Sequence, residues 1–284
     1  MSECQDLTFV HTFTLHAHTS KRLNRPMDLA SLHIESIGTG QDIILLHGWG
    51  MNSAVFTPLH SAFKEYRVHY VDLPGFGLSA PLHGNLDTWV ERLVHALPED
   101  AIWVGWSLGG LVATQAALSF PSKVKGLVTI ASSPCFMARD DEAWPGIPPQ
   151  VLAQFGAQLN QNLGKTVERF LAIQAMGSAN AKEDIKQLRD LVLARPLPDA
   201  TALTQGLAML EKLDLRPQLP NLTLPWLRIW GRLDGLVPKR VMAQLPPHAD
   251  NISDVMLAKA SHAPFFSHQE EFLTELLDWL SRHA

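Results

Sequence analysis

The sequence predicts a doubly wound α/β fold with a mostly parallel sheet and an all-helical insertion. Three observations carry this prediction. Short apolar runs alternate with helical patterns from residue 32 to about residue 132. One run, Ile43-Ile44-Leu45-Leu46, is apolar without interruption, as a strand covered on both faces must be. Between Ser133 and Asp214 the alternation stops, and it resumes afterwards. The expected organisation is a layered core over 31–132 and 215–284, a helical cap over 133–214, and an amino-terminal arm over 1–30.

Residues 1–30 are rich in His and Thr and end in Lys21-Arg22-Leu23-Asn24-Arg25-Pro26. Met27 stands just before the first expected strand. Either translation starts at Met27 or the segment is a loosely held arm. Strands are expected over 32–36, 42–46, 67–71, 101–104 and 124–131, with helices over 55–63, 86–97 and 110–118. In the insertion, helical spacing covers 148–159, 164–176, 181–193 and 199–210, punctuated by prolines. The sheet is expected to resume with strands over 226–230 and 254–258, and a closing helix over 265–280.

The bulk properties narrow the function. Hydrophobic residues make up 46% of the 284 residues and charged residues 18%, as in ordinary globular proteins. A net charge of -5 argues against general nucleic-acid binding. Cys4 and Cys135 are the only cysteines, so no disulfide framework is expected. No apolar run approaches the ~18 residues of a membrane span, and the amino terminus lacks a secretory signal pattern. The expected location is the cytoplasm and the expected state a monomer. With no phosphate loop, dinucleotide fingerprint or His-Glu-x-x-His, neither cofactor nor metal is expected.

The chemistry centres on Gly105-Trp106-Ser107-Leu108-Gly109. An apolar strand precedes it and a helix with small early residues follows, which is the setting of a strained turn that presents a serine nucleophile. A serine hydroxyl needs a base, and the base needs an orienting carboxylate. In the order Ser, then acid, then His, the candidates are Asp234 and His262, each in a loop directly beyond a late strand. Taken singly, a lone Asp between Gly and Pro is a turn former and a lone His is structural. Their order and their shared sheet edge favour catalysis. His248, His268 and His283 are weaker bases by position. The oxyanion of the reaction needs donors, expected from the N–H of Leu108 and the N–H of Trp49 in His47-Gly48-Trp49-Gly50. His47 reads as a brace and Asp72 as a turn residue.

These motifs resemble the α/β-hydrolase superfamily from about residue 32 to the carboxyl end. Leu45-Leu46-His47-Gly48-Trp49-Gly50, Val71-Asp72-Leu73-Pro74-Gly75-Phe76-Gly77, the elbow segment, Ala131-Ser132-Ser133-Pro134-Cys135-Phe136, Thr166-Val167-Glu168-Arg169-Phe170-Leu171-Ala172 and Leu233-Asp234-Gly235-Leu236-Val237-Pro238 resemble the methyl ester esterase family of bacterial biotin synthesis. The resemblance implies cleavage of the methyl ester of a pimeloyl chain carried on acyl carrier protein. It implies substrate contacts at Trp49, Ser107, Leu108, His262 and the stretch Phe170, Leu171, Ala172, Ile173 and Gln174. It also implies carrier-protein contacts at Lys165, Arg169, Lys182 and Lys186. Each basic pair is four residues apart and so shares a helix face. The insertion as a whole holds eight Lys or Arg against ten Asp or Glu, so a merely solvated surface competes with a docking patch. A general carboxylesterase, thioesterase or lactonase would use the same triad, and a non-catalytic binding protein of the same fold is a remoter alternative.

Overall fold

A computed structural model describes residues 31–159, 161–174, 181–246 and 250–284. The amino-terminal arm, the choice between Met1 and Met27, Cys4, Met176 and His248 lie outside the described residues. In chain order the core opens with β1 (Ile34–Gly38), β2 (Gln41–Leu46) and β3 (Tyr66–Val71). It continues with α1 (Leu86–Ala96), β4 (Ala101–Trp106), α2 (Leu108–Ser119) and β5 (Val124–Ile130). Four helices follow: α3 (Pro149–Leu159), α4 (Leu163–Gln174), α5 (Ala181–Leu193) and α6 (Ala200–Lys212). The chain closes with β6 (Trp226–Gly231), β7 (Ile252–Leu257), α7 (Pro264–Ser267) and α8 (Gln269–His283).

The sheet has seven strands in the order β1-β3-β2-β4-β5-β6-β7. Every neighbouring pair is parallel except β1 with β3. The central strand β4 is buried along its whole length, which explains its uninterrupted apolar sequence. In α1 the buried residues Leu86, Trp89, Val90, Leu93 and Val94 follow the helical period, and Asn85 caps the first turn by accepting from the Thr88 N–H. Losing such a cap costs about 1 kcal/mol. Helix α2 is buried from Leu108 to Ala117, because it crosses the sheet directly behind the elbow. A charged side chain in the sheet is buried as a pair with its neighbour. Arg228 of β6 is 1% exposed and donates through Nε and Nη2 to both oxygens of Asp254, its register partner on β7, at 2.8 and 2.5 Å.

Strands β1 and β7 begin two residues later and two residues earlier than expected, and three helical segments of the core also differ from the sequence expectation. Residues 53–62 form a 3₁₀ helix, not an α-helix, with Pro58 inside it. A proline removes an N–H and crowds the carbonyl four residues back, so the regular α ladder is broken there. The closing helix is two helices, broken at His268, whose φ and ψ of -136° and 51° are not helical. Helix α2 begins two residues earlier than expected, directly after Ser107.

Helices α5 and α6 are tied to the core by polar contacts. Trp49 Nε1 donates to the Leu203 carbonyl of α6 at 2.8 Å, and Asn52 Nδ2 donates to the Val192 carbonyl of α5 at 2.9 Å. Just beyond α5, Arg195 donates to both oxygens of the fully buried Asp72 at 3.0 Å and to Ser53 Oγ at 2.7 Å.

Candidate active site

Ser107 is the residue between β4 and α2, with φ 53° and ψ -119°, an uncommon conformation for any residue with a Cβ. The flanking glycines make the corner possible. A Cβ on Gly105 would lie 2.2 Å from the Gly109 carbonyl oxygen, and one on Gly109 would lie 2.3 Å from the Leu46 carbonyl oxygen. Only hydrogen fits where strand, helix and the end of β2 meet.

The three residues expected to act together are brought together. His262 Nε2 lies 2.9 Å from Ser107 Oγ, and His262 Nδ1 lies 2.8 Å from Asp234 Oδ2. The other carboxylate oxygen of Asp234 accepts from the Leu236 and Val237 N–H groups at 2.7 and 2.9 Å. Those bonds hold the carboxylate plane, so an Nδ1–H tautomer donates to Asp234 and leaves Nε2 to accept from the serine hydroxyl. Trp106 Nε1 donates to the His262 carbonyl at 2.7 Å, and the Leu233 N–H donates to the Ala260 carbonyl at 2.9 Å. The base-bearing loop is thus fixed both to the elbow and to the acid-bearing loop. Ser107 and His262 are buried at 3% and 1% exposure. This constellation can withdraw a proton from the hydroxyl as it attacks an electrophilic carbon.

The loop after β2 runs beside the nucleophile: a Cβ on Gly48 would be 3.2 Å from Ser107 Cβ. Trp49 and Leu108 are both fully buried. Among the described residues, no hydrogen bond uses the Trp49 or Leu108 N–H. His47 braces this loop. Its Nδ1–H donates to the Gly48 carbonyl at 2.8 Å, and its Nε2 accepts from the Leu73 N–H at 3.0 Å. Burial pushes its pKa down to about 4, so the neutral tautomer that makes both bonds is the stable one. Asp72 is more than a turn former. Burial opposes its charge, yet the His47 ring, the Leu78 and Ser53 N–H groups and Arg195 together hold its carboxyl below the usual range.

A narrow pocket opens on Ser107. Apart from Ser107 its walls are apolar: Trp49, Phe136, Ile147, Leu152, Phe155, Phe170, Leu207, Leu210 and Leu236. Trp49 meets Phe170 edge-on, with ring centroids 4.8 Å apart. Of the stretch expected to contact substrate, Phe170 lines this pocket. Leu171, Ala172, Ile173 and Gln174 are not among its walls. Gln174 is fully buried. Its Nε2 donates to the Phe170 carbonyl at 3.1 Å, and its Oε1 has no partner among the described residues. Lys165, Arg169, Lys182 and Lys186 are all exposed, and none lines the pocket. Sequence reasoning missed the walls on α3 and α6. Leu152 and Phe155, and Leu203, Leu207 and Leu210, carry helical spacing that marks an inner face without naming what it faces.

The fold and this site define an α/β hydrolase, and the family model described as "alpha/beta hydrolase fold" matches residues 43–269. Within that fold the chain belongs to the pimeloyl-[acyl-carrier protein] methyl ester esterases. It is 73% identical over 251 residues to the esterase of that name from Shewanella oneidensis, covering 88% of this chain and 95% of the relative. It is 52% identical over 248 residues to the one from Aeromonas hydrophila, covering 86% and 96%. Among solved structures, an esterase from Exiguobacterium antarcticum superposes with a TM-score of 0.76 at 21% identity, covering 89% of this chain and 96% of that one. The enol-lactonase of Burkholderia xenovorans superposes with a TM-score of 0.75 at 16% identity, covering 90% and 98%. At these identities the likeness is one of fold.

Proposed function

We propose that the chain hydrolyses the methyl ester of pimeloyl-[acyl-carrier protein], giving pimeloyl-[acyl-carrier protein] and methanol in biotin synthesis. The observation that carries this reading is the Ser107–His262–Asp234 hydrogen-bonded chain at the mouth of an apolar pocket. His262 takes the hydroxyl proton as Ser107 Oγ attacks the ester carbonyl. The N–H groups of Trp49 and Leu108 receive the oxyanion. His262 then protonates methanol as it leaves, and water cleaves the acyl-serine by the same steps. Asp234 keeps the imidazole in one tautomer throughout. The methylene chain of the substrate lies against Phe170 and its neighbours, where apolar walls suit it and offer a free carboxylate no counter-charge.

Residues 133–214 serve as a lid over this pocket. Lys165, Arg169, Lys182 and Lys186 face the acidic carrier protein and set the register of its tethered chain. The enzyme works in the cytoplasm as a single chain. The test is turnover of the carrier-bound methyl ester by the wild type and by Ser107→Ala, beside short acyl esters and a carrier thioester. Preference for the carrier-bound methyl ester, lost in the variant, is expected. Equal turnover of short esters would instead favour a general carboxylesterase, and residual full activity in Ser107→Ala would remove the triad altogether.

A further inference from the structure

We infer that Ser132 is a positioning residue for the oxyanion donor: its hydroxyl fixes the peptide plane that carries the Leu108 N–H. The inference rests on the proposed triad and oxyanion donors and extends them. Strand β5 ends at Ile130, and the next residue, Ala131, has φ 44°, in the left-handed region that a residue with a Cβ rarely adopts. The Ala131 N–H is held by the Ile229 carbonyl at 2.8 Å. This turn leaves Ser132, 5% exposed, with its Oγ donating to the Ser107 carbonyl at 2.8 Å. Room for that hydroxyl comes from Gly110, where a Cβ would sit 2.4 Å from Ser132 Oγ. The glycine just beyond the pentapeptide therefore has a physical reason of its own.

The carbonyl of Ser107 and the N–H of Leu108 belong to one planar trans peptide and point in opposite directions. Whatever holds the oxygen aims the N–H. The Ser107 oxygen also accepts from the Gly110 and Leu111 N–H groups at 2.9 and 3.3 Å, both from the first turn of α2. Ser132 is the side chain that joins them from the sheet. On the other side of the nucleophile, the Ser107 N–H donates to the Ile130 carbonyl at 2.9 Å. Both peptides flanking the strained serine are thus tied to the end of β5 and the turn after it, one through Ile130 and the other through Ser132. A donor on the carbonyl also polarises the attached N–H, which strengthens the bond it gives to an oxyanion.

The helical bonds remain when the hydroxyl is removed, so the carbonyl keeps partners and the cost falls on aim. Complete loss of an oxyanion donor costs about 10²- to 10³-fold in turnover. Misaiming one is expected to cost part of that, about 10-fold in kcat.

The experiment compares wild type, Ser132→Ala and Ser132→Cys, the last keeping a weaker donor at the same place. Three readings are taken: melting temperature, kcat and KM for a carrier-free dimethyl ester of a seven-carbon diacid, and affinity for an alkyl trifluoromethyl ketone. The ketone reports the oxyanion directly, because Ser107 Oγ adds to its carbon, the proton passes to His262 and the ketone oxygen becomes the anion. The expected result is a fall in kcat of about 10-fold in Ser132→Ala with KM within about 2-fold. Ketone affinity is expected to weaken by the same factor, with Ser132→Cys lying between. A folded Ser132→Ala with wild-type kcat and ketone affinity overturns the inference. So does a loss of kcat without loss of ketone affinity, and so does failure of both variants to fold, which would make the residue structural. An active Ser107→Ala would sink the proposed function instead. An inactive Ser107→Ala beside an unimpaired Ser132→Ala sinks this inference alone.

Discussion

Asp234 illustrates how much of the chemistry depends on single atoms. One of its oxygens is used by two backbone N–H groups and the other by His262. Asp234→Asn keeps the shape but places an amide where one acceptor is required, so the imidazole loses the tautomer that can accept from Ser107. The expected outcome is a fall in kcat of about 10³- to 10⁴-fold with little change in melting temperature. His47 supplies a pH signature. Burial lowers its pKa from 6.5 to about 4. Between those values the unfolded chain binds a proton that the folded chain refuses, so its stability contribution is full above pH 6.5 and lost as pH falls through 4. At about 1.4 kcal/mol per unit, wild type should lose about 2 kcal/mol between pH 7 and pH 5 that His47→Gln does not lose. Urea unfolding of both proteins at the two pH values measures it.

One small residue of α6 packs directly against the proposed oxyanion donors. A Cβ on Gly206 would lie 2.8 Å from Trp49 Cδ1 and 3.2 Å from Leu108 Cδ2, the two residues proposed to hold the oxyanion. Gly206→Ala must therefore push α6 away, stretching the Trp49–Leu203 bond, at about 1–3 kcal/mol of stability. We expect kcat/KM for the methyl ester to fall about 10-fold while circular dichroism stays unchanged. An unchanged kcat/KM would mean that α6 is not a wall of the working site. Nothing in the sequence announced this contact, and the reason is general. The strands were legible because burial on both faces leaves an apolar run, and Ser107 because a strained corner demands glycines at fixed offsets. Asp234 and His262 were legible because they follow strands that share one edge. The walls from α3 and α6 were half legible: period marks a face, not its neighbour. The Arg195–Asp72 anchor joins residues 123 positions apart, and no local pattern encodes such a pairing. Apolar spacing over 55–63 marks a helix without setting its type; Pro58 is the local cue to the 3₁₀ form.

Across the whole molecule, charge bears on how substrate arrives. The insertion is not basic by count, with eight Lys or Arg against ten Asp or Glu. Ion pairs take bases and acids out of that balance alike and do not make it basic, so any docking patch is local. Arg139 lies 3.8 Å from Asp214, Arg189 3.0 Å from Glu168 and Arg195 3.0 Å from Asp72. Lys165, Arg169, Lys182 and Lys186 form no ion pair among the described residues, and all four are exposed on the adjoining helices α4 and α5. Their field reaches about 8 Å at physiological salt, enough to bias the approach of an acidic protein. Arg169 is a poor reporter of docking, since its guanidinium lies 6.0 Å from the ring centre of Phe155, a pocket wall. Lys165 and Lys186 have no such contact, so Lys165→Glu with Lys186→Glu is the cleaner variant. For carrier-bound ester, KM should rise about 10-fold with kcat nearly unchanged, and the effect should shrink as salt is raised. For a carrier-free methyl ester, both constants should stay within about 2-fold of wild type. If the two substrates lose activity alike, the charges serve the fold of the insertion and the carrier protein docks elsewhere.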